Sequence, residues 1–486
     1  MELQQIIYSI FKTQIQFGVY GAGERLPTME EACRLMGVSI RTIRMAYQRL
    51  QREGFVTIAK NIGARVKIYY TEEEIERNVQ DFFSRRRDSM LDLGRSMRAL
   101  VSTAQLESFK NVTSEQLDEL EQIARRNDVL PPHKLVLQLQ MIYGSLKNDL
   151  LMRLVWQILM FYPAPFLSVS ENLRGLESEH SPLLPMIKLC RQKNWDALKI
   201  AIDDYQEMLY SGLCRFYENR IISPPPGQQE AFFWTGFNKA SQLCYSLGMD
   251  ILKDISWGTY PAGTMLPAMK KLAEERHVSL ITVRRTLSLL GSIGLTKTHN
   301  GIGTEVMSME NLADNCDFTV PAVRRRLLDY AQSLQVLALS CRAVAEMTLA
   351  PLEADILEKF SDRLLFLRRS QRCELAAYGI LELLTHLAPS QVLRTVYDAL
   401  FHQLLWGFPI RNMRGSVAEM NRCDLPQLNA LLEAIRQRDV AGFCEKLEAI
   451  MIFEVGYSAA QLVRLGITEA AALIISPGSA PEQHPL

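Results

Sequence analysis

The chain has 486 residues, 48% of them hydrophobic, with 54 Lys plus Arg against 54 Asp plus Glu. That length suggests three or four domains, and the balanced charge excludes a uniformly basic nucleic-acid coat, so any electrostatic footprint is local. The nine cysteines contain no CxxC pair. Such an odd, unpatterned set suits a reducing cytosol better than a disulfide framework or a zinc site.

In chain order, the opening MELQQIIYSIFKTQIQFG is amphipathic and interrupted by polar side chains, unlike a signal peptide. In the next stretch, Thr28 stands where an N-cap belongs and Glu31 follows three residues later, as a capping box requires. The spacing predicts a short helix to about Met36, a turn at Gly37 and a second helix capped by Ser39. Ile43, Ala46, Tyr47 and Leu50 then fall on one inward face. Beyond Gly54, FVTIAKNIGARVKIYY reads as two short strands around a glycine-bearing turn. Helices followed by a hairpin make a winged helix-turn-helix over residues 1–70.

Residues 71–221 carry apolar side chains at helical spacing, which predicts an all-helical domain. Its most apolar stretch, LVWQILMFYPAPFL from Leu154, is too short and proline-rich to cross a bilayer, so no membrane association is expected. ISPPPGQQE, residues 222–230, reads as a stiff linker. The opening pattern then returns at 231–308 at an offset of 240 residues without a gap. Gly18/Gly258, Tyr20/Tyr260, Gly23/Gly263, Leu26/Leu266, Pro27/Pro267, Ser39/Ser279, Thr42/Thr282, Arg44/Arg284, Leu50/Leu290, Gly54/Gly294, Gly63/Gly303 and Val66/Val306 all agree. Glycine and proline set backbone shape, so the shared property is a fold, in two domain-sized units. Val283, Thr286, Leu287 and Leu290 repeat the inward face, and LTKTHNGIGTEV repeats the wing. A second all-helical domain follows at 309–475, and the tail 476–486 reads as disordered. The expected fold class is therefore mainly α, two winged helix-turn-helix domains each followed by a helical bundle.

The run YGAGERLPTMEEACRLMGVSIRTIRMAYQRLQREGFV…GARV, and its second copy, resemble the DNA-binding domain of GntR-family transcriptional regulators over about 70 residues each. The resemblance implies a cytoplasmic regulator with double-stranded DNA as its partner and no cofactor. A helix of this kind enters the major groove, its first turns facing bases and its neighbours facing phosphates. The candidate contacts are Thr28, Ser39, Arg41, Thr42, Arg44, Gln48, Lys60, Gly63 and Arg65 in the first copy. In the second they are Lys270, Ser279, Thr282, Arg284, Arg285 and Gly303. Between Arg41 and Lys67 stand seven basic residues against one acid, Glu53, a local basic surface.

Two departures stand out. The arginine that the family places after the Leu-Pro motif is Glu30 or Lys270 here, and the one after Val-Ser is Ile40 or Leu280. Either Arg41 and Arg285 read an atypical operator, or one copy no longer touches DNA. The second copy, with Glu305 in its wing, is the weaker candidate. If both bind, one chain is its own pseudo-dimer on an asymmetric operator, with a homodimer as the other arrangement.

In this family the head is often joined to an all-helical effector domain of the FCD type. LCRQKNWDALKIAIDDYQEML from Leu189 and LEAIRQRDVAGFCEKLEAIM from Leu432 resemble its closing turn and helix. Its metal-ligand positions hold Leu139, Leu381, Tyr205 and Ile450 here, while His133, His180, His386 and His402 are dispersed, so no metal is expected. A small-molecule effector would meet an apolar pocket instead. No Walker A loop, HExxH or GxSxG points to an enzyme. The rival to a regulator is an interaction or dimerisation protein built on winged helices that no longer bind DNA.

Overall fold

A computed structural model of the chain describes residues 3–59, 63–126, 128–169, 171–172, 181–224, 226–234 and 239–475. Lys60, His180 and the tail 476–486 lie outside the described residues. The chain divides into two compact units, Met1–Phe233 with Ser390–Val392, and Trp234–Pro389 with Leu393–Leu486. No described helix is long and apolar enough to cross a membrane.

The first unit opens with α1 (Leu3–Gln16), α2 (Met29–Met36), α3 (Ile40–Arg52) and an antiparallel hairpin, β1 (Val56–Ala59) with β2 (Gly63–Val66). The capping box at α2 forms as its letters require: Thr28 Oγ1 accepts from the Glu31 amide while Glu31 accepts from the Thr28 amide at 2.8 Å. Gly37 ends α2 at φ 64°, a left-handed turn that a Cβ would strain. The inward residues of α3 are all buried, and Tyr47 donates to the carbonyl of Pro27 at 2.7 Å, tying the helix to the Leu-Pro motif.

A helical body follows: α4 (Glu72–Ser84), α5 (Arg87–Asn111), α6 (Ser114–Arg125), α7 (Pro131–Gly144), α8 (Asp149–Phe161), α9 (Pro163–Phe166), α10 (Leu183–Arg191) and α11 (Trp195–Asn219). The long α5 and α11 pack along each other. The head shares one core with this body, since Val136, Trp156, Leu159 and Ala164 cluster with Ile7, Phe11 and Tyr47. At that seam buried His133 Nε2 meets Gln14 Oε1 at 3.0 Å, and its ring lies 5.3 Å from that of Phe11. The segment after α11 is anchored to the body. Gln80 accepts from the amides of Ile222 and Ser223, and the Glu230 amide donates to the Arg85 carbonyl at 2.7 Å.

The second unit repeats the order with α12 (Lys239–Ser256), α13 (Met269–Glu275), α14 (Leu280–Ser292), β3 (Thr296–His299) and β4 (Gly303–Val306). Buried Thr286 is satisfied by the Cys244 carbonyl at 3.2 Å, which explains a polar letter on an inward face. The body comprises α15 (Leu312–Asn315), α16 (Pro321–Leu349), α17 (Ala354–Arg369), α18 (Ala376–Leu387), α19 (Gln391–Phe401), α20 (Gly407–Asn412), α21 (Val417–Arg436) and α22 (Val440–Arg464), with α16 against α22.

The bodies share a turn that the heads' offset does not reveal. Before α11, Lys193 adopts φ 53° and Asn194 caps the helix; before α22, Arg438 adopts φ 55° and Asp439 caps. These two caps are 245 residues apart, so the second half is five residues longer by this point.

Candidate nucleic-acid interface

The exposed face of each head is built on a helix start. Ser39 Oγ accepts from the Thr42 amide at 3.2 Å, and the two hydroxyls lie 2.9 Å apart. Ser279 and Thr282 repeat this at 3.1 and 2.9 Å. Each cap fixes the helix direction and leaves hydroxyls and amides at its mouth, the arrangement that holds a phosphate. Along the helices, burial follows one pattern. Arg41, Arg44, Met45 and Gln48 are exposed in α3, as are Ile281, Arg284, Arg285 and Ser288 in α14, while the core positions between them are buried in both. The side chains of Arg41, Arg44, Arg284 and Arg285 have no hydrogen-bond or ion-pair partner among the described residues. Their cations face solvent.

The remaining candidates divide. Thr28 is exposed but engaged in its capping box, and Lys270 is exposed at the first turn of α13. Gly63 and Gly303 begin the second strand of each wing. Arg65 donates to the Gly23 carbonyl at 2.7 Å, which holds it at the wing base. Arg49, counted in the basic run, turns instead toward the head's own α1. It pairs with Glu53 at 3.0 Å and lies 4.0 Å over the Tyr8 ring, and Tyr8 and Lys12 bind the same carboxylate. The basic surface of the first head is correspondingly narrower than the letter count implies.

One arginine beside the wing escaped sequence reasoning. Arg25 forms an isolated bridge with Arg65, because the loop before α2 joins the wing: Leu26 donates to Ala64, and Gly23 and Val66 are likewise paired into the sheet. Two arginines forty residues apart thus meet at the wing base. The equivalent bridge in the second head is Met265 with Glu305, and Glu305 pairs with His299 at 2.8 Å. The only sequence signal was the repeated Leu-Pro motif, whose register against the wing is a tertiary property.

In the bodies, no group of three or more His, Cys, Asp or Glu side chains is placed to hold a metal ion among the described residues. The interior of the second body differs from the apolar pocket expected of it. Arg411 on α20 is 4% exposed, its guanidinium stacked 3.7 Å from the Tyr378 ring centre, and none of its three nitrogens meets a hydrogen-bond acceptor among the described residues. Nearby Arg414 donates to Asp424 and Glu454, at 2.8 Å each. At the offset of 245 residues, the position of Arg411 is filled in the first body by Phe166, buried against Phe216 and Tyr162.

A helix pair whose second helix is serine-capped, a hairpin wing and free arginines on the outward face define the winged helix-turn-helix class of DNA-binding domain. Residues 3–66 and 246–306 match the family described as bacterial regulatory proteins, gntR family. The chain carries two GntR-type winged helix-turn-helix domains in tandem. Among solved structures it is similar to a Streptococcus agalactiae GntR protein (16% identity, 43% of this chain and 97% of that one, TM-score 0.20). It is also similar to E. coli McbR/YncC (18% identity, 46% and 97%, TM-score 0.25). No curated protein matches the chain.

Proposed function

We propose that the chain is a DNA-binding transcription regulator that uses both heads to read the two unlike halves of an asymmetric operator, and that its helical bodies couple that binding to a small molecule. The observation that carries the reading is the matching burial along α3 and α14 beneath changed outward residues. Arg44 and Arg284 stand in solvent at matching positions in the two heads, which supports a shared use of that face. Arg41, Arg44 and Gln48 then face bases in one half-site, and Arg284 and Arg285 in the other. Thr28, Ser39, Thr42, Lys270, Ser279 and Thr282 face phosphates, and Arg65, with Gly63 and Gly303, follows the wings along the backbone. The coupling is supported by the buried, unpartnered guanidinium of Arg411, an unusual element in a helical core.

The test is selection of bound duplexes from a random library with the full chain, followed by footprinting and titration at two salt concentrations. The expected result is one operator per chain with two non-identical half-sites and affinity falling steeply with salt. Half-sites that are identical, or a footprint over a single half-site, would remove the asymmetric reading. Weak, sequence-blind binding would favour the interaction protein instead.

A further inference from the structure

The two recognition helices differ at their second residue. Arg41 and Ile281 occupy the same register, one residue after the aliphatic pair Ile40 and Leu280 and three before the arginine pair Arg44 and Arg284. Ile281 is 62% exposed and Leu280 50%, so the second head presents two adjacent aliphatic side chains at the mouth of α14. Exposed isoleucine and leucine at the start of a helix stabilise nothing in the head itself, whose core is complete beneath them. The patch is also not electrostatically neutral ground. Lys270, Arg284 and Arg285 are exposed on the same head, and the Ser279 and Thr282 hydroxyls stand at the same helix start. An apolar patch framed by cations and hydroxyls fits a surface that is itself apolar within a polyanion.

The major groove offers one such feature, the C5 methyl group of thymine, while guanine offers two acceptors matched to an arginine fork. We infer that Ile281 and Leu280 make the second head a reader of thymine methyl groups, and that the Arg41/Ile281 exchange is one source of the operator's asymmetry. Resting on the two-headed reading above, this names the base classes. The half-sites agree where Arg44 and Arg284 point and where Ile40 and Leu280 point. At the base pair under the second residue they differ, guanine under Arg41 and thymine under Ile281.

The experiment uses the full chain and the operator obtained by selection. Thymine is replaced by deoxyuridine, which removes only the methyl group, in one half-site at a time. Binding is expected to weaken about fourfold for each methyl lost from the second half-site, the worth of one buried carbon. The Ile281→Arg variant is expected to shift the preferred base at that one position from thymine to guanine by roughly tenfold or more, making the two half-sites alike there. Because Ile281 is exposed, the variant is expected to fold as the parent does; matching circular dichroism and melting temperature check this. A selected operator that tolerates deoxyuridine throughout and an Ile281→Arg variant with the parent's base preference would overturn the inference while leaving two-headed DNA binding intact. Self-association that disappears in Ile281→Arg, with base preference unchanged, would also overturn it and assign the patch to a second copy of the chain. Failure to select any duplex would instead defeat the two-headed reading beneath it.

Discussion

Thr28 and Ala268 stand at the same place before the first helix of each helix-turn-helix, yet only the threonine closes a hydrogen bond there. Gly37 ends that helix at φ 64° in the first head, where the second bends His277 through φ 51°. The wing base joins two arginines in one head and a methionine to a glutamate in the other. Still, the burial along α3 and α14 is the same. Comparing the heads teaches that the fold tolerates loss of its local stabilisers as long as the core letters stay. Surface chemistry is then free to diverge, and it has diverged on the outward faces of α3 and α14. The bodies differ in the opposite way: the change from Phe166 to Arg411 is in the interior.

The largest expected effect would break the comparison of interiors. Arg414 and its two carboxylates are each about nine-tenths buried, so Arg414→Met leaves Asp424 and Glu454 buried without their cation. Stability of the second unit should fall by about 3–5 kcal/mol. Hydrogen exchange should quicken across α20 to α22 and stay unchanged in the first unit; uniform acceleration through both would contradict the division into separate units.

Acid should single out the first unit. Burial lowers the pKa of His133 to about 4, so the folded seam holds it neutral while the unfolded chain protonates near pH 6.5. Between those values the unfolded state binds the extra proton. The stabilisation is therefore complete above about pH 6.5 and lost as pH falls toward 4, roughly 3 kcal/mol in all. Urea titrations of the parent and His133→Gln at pH 7 and 4.5 isolate this share, because the variant should lack that part of the slope. Equal slopes would mean the imidazole is reached by solvent.

For the heads, Arg44→Ala and Arg284→Ala should each weaken operator binding by about 1–3 kcal/mol and relax preference in its own half-site only. Changing Met265 and Glu305 together to arginine should steepen the salt dependence by about one unit of slope for every phosphate that a new guanidinium reaches. Gel-shift titrations over a salt series read both; an unchanged slope would mean the wing bases do not approach the backbone. Smallest is the cap. Thr28→Ala should lower the first unit's stability by about 1 kcal/mol, and Ala268→Thr should raise the second's by up to a similar amount. Thermal melts that move equally for both would show that the capping box is not what distinguishes the heads.

Much of the heads was legible because their determinants are local. The Thr28–Glu31 box, the Ser39 and Ser279 caps and the spacing of the inward faces each act over a few residues, and the repeat supplied an internal control. The solvent exposure of the candidate side chains was legible where they sit on a helix, as Arg44 and Arg284 do, and less so elsewhere. Arg49 looked outward by composition but packs on Tyr8, since a guanidinium three carbons from the backbone can turn toward an aromatic face and a carboxylate. Arg411 lies in FHQLLWGFPIRNM, where nothing marks it as buried, because arginine is rarely so.

Taken alone, the order of residues determined that two copies of one winged fold exist, where their helices start and stop, and which faces turn inward. Those are matters of hydrogen bonds and periodicity within a single turn or strand. Tertiary structure decided which charges remain in solvent, which arginines meet across the wing, and that one body encloses a cation where the other encloses a phenylalanine. Those outcomes depend on side chains that are distant in sequence competing for the same space, and no local pattern records the result.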